Sequence, residues 1–131
     1  NDTLNKVVKL VKYHDIKIKL NASAVRHAIV TLGEELFPML LQVKRADFMA
    51  QSEYKRAEKE EELEKITAIY HKILEDGDCV SLKMLAVTGT DLIQMGMKPG
   101  MEIGEKLTEL FEVVLENPKK NNKNDLLKLI F

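Results

Sequence analysis

Tryptophan is absent from this chain of 131 residues, cysteine occurs once, and aromatic residues make up only 5%. A single cysteine excludes an internal disulfide framework and fits a reducing cytosol, so a cytoplasmic location is expected. Cys79 itself reads as a small apolar residue rather than a reactive thiol. No run of about 18 apolar residues occurs, and the start lacks the shape of a secretory signal, so no membrane partner is expected. Charge of one sign is missing too: 20 Lys and Arg against 21 Asp and Glu give a net charge of −1. No global basic field therefore marks the chain for nucleic acid, although dense charges leave room for local clusters. No segment alternates polar and apolar residues over the length of a strand.

What is present is helical spacing almost throughout. Leu4, Val7, Val8 and Val11 define a first helix and its expected inward stripe. Asn21 suits the N-cap of a second, with Val25, Ala28, Ile29 and Leu32 inward and Gly33 as its stop. Pro38 marks the first turn of a third, predicted to run to about residue 51, because a proline deeper inside would break the ladder. A long fourth helix is expected over residues 57–75, with Leu63, Ile66, Ile69, Tyr70 and Ile73 towards the core. Asp76-Gly77-Asp78 is a turn by composition. Beyond it short helices and glycine turns replace long helices, and Asn117-Pro118-Lys119-Lys120-Asn121-Asn122 reads as a polar linker into a short tail helix. The pattern predicts an all-α chain: a helical bundle over residues 1–78, then a smaller helix-turn-helix tail domain over 79–131. The opening Asn1-Asp2-Thr3, entering a helix without a methionine, suggests a piece of a longer protein.

Four of the six glycines fall within residues 87–104: Gly89, Gly96, Gly100 and Gly104. Residues 91–95 read as a short helix ended by Gly96, and Pro99 as part of the first turn of the next helix, reaching to about Glu116. A helix N-terminus without a capping side chain then stands at Gly100, with Lys98 beside it. Unpaired amides and the helix dipole make such an end a seat for an anion. Two readings stay open for this turn. It is a backbone clamp on a phosphate, or Gly100 and Gly104, at i and i+4, let two helices cross closely.

Other chemistry is sparse. His14-Asp15 offers two adjacent ligands where a metal needs three or four. Counting along Leu36, Leu40 and Val43 puts Asp47 on the inward stripe of the third helix, where a carboxylate needs a partner such as Arg26 or Lys44. Lys55 and Arg56, next to Tyr54, are a small basic cluster able to meet phosphate. The acidic run from Glu58 to Glu64, interleaved with Lys59, is a solvated helix face. No nucleophile with its base, no phosphate loop after a strand and no pair of strand-borne metal carboxylates is found, so no catalytic residue and no metal ligand set is assigned.

The stretch Leu85-Ala86-Val87-Thr88-Gly89-Thr90-Asp91-Leu92-Ile93, followed by Gly96-Met97-Lys98-Pro99-Gly100-Met101-Glu102-Ile103-Gly104, resembles the C-terminal region of bacterial CCA-adding enzymes. These are tRNA nucleotidyltransferases of the poly(A) polymerase family. Residues 10–15, and the stretch from Lys44-Arg45-Ala46-Asp47 to Ser52-Glu53-Tyr54-Lys55-Arg56, are similar to the HD-related helical part of the same family. The resemblance implies a long enzyme in which a head carrying magnesium and the CTP/ATP site precedes neck, body and tail. This chain would then be a non-catalytic piece, without a cofactor of its own. It would bind tRNA and pack with the head and neck of the same protein. RNA-contacting residues implied are Gly89, Asp91, Gly96, Lys98, Pro99, Gly100 and Gly104, with Lys55 and Arg56 as the basic cluster. Asp47 matches the last aspartate of the HD arrangement, whose other ligands would lie before Asn1. The competing readings are a helical protein-interaction or dimerisation module without RNA binding, and a metal-dependent phosphohydrolase centred on Asp47.

Overall fold

The computed structural model describes residues 2–50 and 53–130, apart from the side chains of residues 53 and 54. Among the described residues the regular structure is entirely helical. The order is α1 (Asp2–Tyr13), α2 (Ala22–Leu32), α3 (Leu36–Met49), α4 (Glu53–Asp76), α5 (Gly89–Gln94), α6 (Met101–Glu116) and α7 (Lys123–Lys128). Single 3-10 turns stand at Leu82–Met84 and Pro118–Lys120. The chain divides into two compact units, Asn1–Asp78 and Cys79–Phe131.

The first unit is built on α2, α3 and α4. Asn21 accepts the amide of Ala24 at 2.8 Å and starts α2, and Gly33 ends it with a positive φ. Val25, Ile29 and Leu32 of α2, Phe37 and Leu40 of α3 and Ile73 of α4 are almost completely buried, and α2 contacts both α3 and α4. The ring of Phe37 lies 5.0 Å from that of Tyr70, at a tilt suited to their quadrupoles. Arg26, buried at 6% exposure, donates to Asp78 at 3.2 Å, joining α2 to the end of α4.

Three expectations for this unit need correction. The stripe Leu4, Val7, Val8 and Val11 faces solvent, each residue at least half exposed, while α1 meets α3 through its other side. There Lys6 reaches Glu35 at 2.8 Å and Leu10 is half-buried. Asp47 is exposed, not inward, and Arg26 pairs with Asp78 instead. The inward stripe of α3 runs through Leu36, Phe37, Leu40, Leu41 and Phe48, so the row counted from Leu36 holds for Leu36 and Leu40 but not for Asp47. Finally, α4 begins at Glu53, so Lys55 and Arg56 belong to its first turn rather than to a segment before it. The predicted end of α3 at Gln51 falls outside the described residues.

The second unit is held by helix caps as much as by its core of Leu92, Leu110, Val114, Leu115 and Leu126. Asn122 caps α7 by accepting the Asp125 amide at 2.9 Å. Asn121 bridges two distant strands of backbone: its Oδ1 accepts the Ala86 amide at 2.8 Å and its Nδ2 donates to the Met84 carbonyl at 2.9 Å. The polar linker is thus a structural joint.

Candidate functional site

The glycine-rich segment folds as α5, a tight turn and α6. Thr88 and Asp91 form a reciprocal capping box at the start of α5. The Asp91 amide donates to the Thr88 hydroxyl at 3.3 Å, and the Thr88 amide donates to Asp91 Oδ2 at 2.9 Å. The other carboxylate oxygen of Asp91 pairs with Lys123 at 3.0 Å. Asp91 is held below the usual carboxylate range, by the Thr88 amide first and then by the Lys123 ammonium and the Thr88 hydroxyl. Both its oxygens are engaged within the unit.

Helix α5 ends in a Schellman motif. The Met97 amide donates to Leu92 O at 3.1 Å and the Gly96 amide to Ile93 O at 3.0 Å. Gly96 has φ +105°, a conformation closed to most side chains. Gly100 has φ +145° and occupies the N-cap of α6. Pro99 therefore precedes the cap rather than lying in the first turn, because a residue with the Gly100 backbone angles cannot be part of the helix.

No side chain caps α6. Ile103 donates back to Gly100 O at 3.2 Å, whereas among the described residues the amides of Met101 and Glu102 have no acceptor. The end is open to solvent: Lys98, Pro99, Gly100, Glu102 and Gly104 are exposed, and Met101 is 83% exposed. Lys98 makes no ion pair among the described residues. A Cβ placed on Gly100 or Gly104 would meet nothing within 4 Å. Among the described residues no other helix approaches closely at these two glycines. The close approach belongs to Gly89, where a Cβ would stand 3.3 Å from Ile103 Cγ2.

The structure thus sorts the expected site residues. Gly96, Lys98, Pro99, Gly100 and Gly104 gather at one exposed helix start. Gly89 packs α5 against α6, and Asp91 caps α5. Lys55 and Arg56 lie in the first unit, on α4, with Lys55 exposed. Sequence reasoning missed Glu102, an exposed anion in the first turn of α6, which competes with any incoming anion for the dipole. It also missed Lys123, whose only hint was its place behind the capping Asn122.

Chemically, this end offers amide donors, a favourable dipole and one ammonium, which suits an oxyanion and supplies no nucleophile. Among the described residues no three metal-ligating side chains converge. The ring of His14 meets Asp15 at 3.3 Å and the carbonyl of Val11. Among the described residues no helix is long and apolar enough to cross a membrane.

No curated protein and no solved structure matches this chain. One family does, described as tRNA nucleotidyltransferase domain 2, and its match extends over residues 1–130. With nearly every residue inside that match, the chain belongs to the tRNA nucleotidyltransferase domain 2 family.

Proposed function

We propose that this chain is the tRNA-holding part of a nucleotidyltransferase of the CCA-adding or poly(A) polymerase type. Under this reading it positions the tRNA 3′ end for nucleotide addition by a catalytic head on the same protein. The head supplies magnesium and the CTP/ATP site, and the described residues supply grip. The observation that carries the reading is the uncapped, solvent-open start of α6 with Lys98 beside it, in a chain of this family. A phosphate there accepts from the Met101 and Glu102 amides and neutralises Lys98. Gly96, Pro99 and Gly100 give the turn its shape, and Gly104 leaves the approach clear. Contacts of this kind read backbone and shape, which suits a protein that must accept every tRNA. Lys55 and Arg56 add a second basic contact from the first unit. Holding the acceptor arm contributes to rate by orientation alone.

Titration of labelled tRNA against the chain at several salt concentrations tests this. Lys98→Glu should weaken binding and lower the slope of log affinity on log salt by about one. Gly100→Leu should weaken binding as well, by blocking the approach and straining the cap. Unchanged affinity and slope in both variants would remove the turn as the contact site.

A second reading rests on α1, whose exposed Leu4, Val7, Val8 and Val11 form an aliphatic face suited to a protein surface. In the first reading that surface is the head and neck of the same protein. In the alternative, the chain is an interaction or dimerisation module without RNA binding. A mass that rises with concentration in light scattering, together with no tRNA binding, would favour the alternative.

A further inference from the structure

The methionines of this chain stand apart from its core. Methionine commonly fills irregular gaps between packed side chains, yet among the described residues none of the six is buried. Three of them, Met95, Met97 and Met101, fall at the bend between α5 and α6. Met101 is 83% exposed, more than any other large apolar side chain described, and the next methionine, Met49, is 49% exposed. The backbone beneath them is fixed. The Met95 amide donates to Asp91 O at 3.1 Å, and the Met97 amide donates to Leu92 O at 3.1 Å. Chemistry at these sulfurs therefore acts on side chains over a rigid bend, not on packing inside the unit.

A thioether open to water is a group that a hydroperoxide oxidises, and susceptibility follows exposure. The sulfur lone pair attacks one peroxide oxygen and the O–O bond breaks. The departing hydroxide takes the proton of the transferred oxygen and leaves as water, so sulfur loses two electrons and the peroxide gains them. The product is a neutral sulfoxide, whose oxygen accepts hydrogen bonds far better than the thioether sulfur did. Met101 is the first residue of α6, and a helical side chain leans towards the N-terminus of its own helix. The new oxygen therefore arises at the end where the Met101 and Glu102 amides have no acceptor, and where the dipole favours negative charge. We propose that Met101 is an oxidation site, and that its sulfoxide caps α6 from within the chain. A thiol-dependent reductase returns the thioether, with the oxygen leaving as water and two thiols joining as a disulfide. The capped start then competes with phosphate, so oxidation weakens the hold on tRNA. That last step alone rests on the tRNA reading.

The test is a time course of the chain in hydrogen peroxide, read by mass spectrometry of its peptides. Oxygen addition at Met101 should run about twofold or more faster than at Met39, Met49 and Met84, in line with its exposure. In denaturant these rates should converge. Early in the time course, amide shifts should centre on Met101, Glu102 and Ile103, with circular dichroism unchanged. Methionine sulfoxide reductases with a dithiol should reverse those shifts. Met101→Leu alters only an exposed side chain, so it should keep the fold and lose the peroxide-induced shifts. A Met101 rate at or below that of Met49 overturns the site, and shifts confined to Met101 overturn the cap. Labelled tRNA should bind the oxidised chain about tenfold more weakly, the scale of one hydrogen bond to a charged group. Met101→Leu should bind it equally with and without peroxide. Unchanged affinity after oxidation overturns the competition with phosphate. Failure of the untreated chain to bind tRNA removes the tRNA reading, while the oxidation rates and amide shifts still decide the site and its cap.

Discussion

The two units reach their folds by different means. In Asn1–Asp78, long helices interlock broad apolar stripes, and Phe37, Leu40 and Val25 have no exposed surface. In Cys79–Phe131, a smaller core is framed by caps and glycine turns: a Thr88–Asp91 capping box, a Schellman turn at Gly96, and the paired asparagines Asn121 and Asn122. The first arrangement leaves a concave surface bordered by the connector between α1 and α2, α3 and α4. The second leaves helix ends exposed, and exposed helix ends carry unpaired amides. The difference in construction thus accompanies a difference in what each unit offers a partner.

Four perturbations sharpen that contrast. The largest effect is expected from Phe37→Ala. It removes a fully buried ring and its contact with Tyr70, and should cost about 3–5 kcal/mol in denaturant unfolding followed by signals of the first unit. Asn121→Ala should cost the second unit about 1–3 kcal/mol, because it strands the Ala86 amide and the Met84 carbonyl. Hydrogen exchange at Ala86 reads that loss directly. If Asn121→Ala leaves exchange and stability unchanged, the second unit depends on its core and the contrast fails.

Gly104→Ala acts in the opposite direction. The added methyl meets nothing within 4 Å in a helix, so thermal unfolding should show a gain of about 0.5–1 kcal/mol. A loss would restore a packing role to Gly104. The smallest effect is confined to acid. The carboxyl of Asp91 has a folded pKa below its unfolded value, so its contribution is complete above the ordinary carboxylate range. It is lost as pH falls through the folded pKa. Asp91→Asn should remove that pH dependence of the second unit, as followed by the amide signals of α5 during acid titration.

Much of the architecture was legible in local pattern. Asn21, the stripe from Val25 to Leu32, and Gly33 describe α2 completely, since cap, face and stop all lie within a dozen residues. The glycine turn was legible for the same reason: Gly96 and Gly100 stand where only backbone of positive φ closes the bend. The direction of the α3 stripe was not. Leu36 and Leu40 are buried as counted, but the stripe continues through Phe37, Leu41 and Phe48 and leaves Asp47 exposed. The joint made by Asn121 was hidden because its partners are 35 and 37 residues away.

The amino-acid order by itself determined an all-α fold, the cap and stop of α2, and a turn whose backbone only glycine adopts readily. Those features rest on interactions spanning one or two helical turns. Tertiary structure alone decided that the α1 stripe faces outward, that Asp91 and Lys123 pair, and that Lys44 reaches the carbonyls of His14 and Ile16. Each depends on which distant segments share space. Periodicity fixes the angle of a side chain around its own helix, but not the neighbour it finds there.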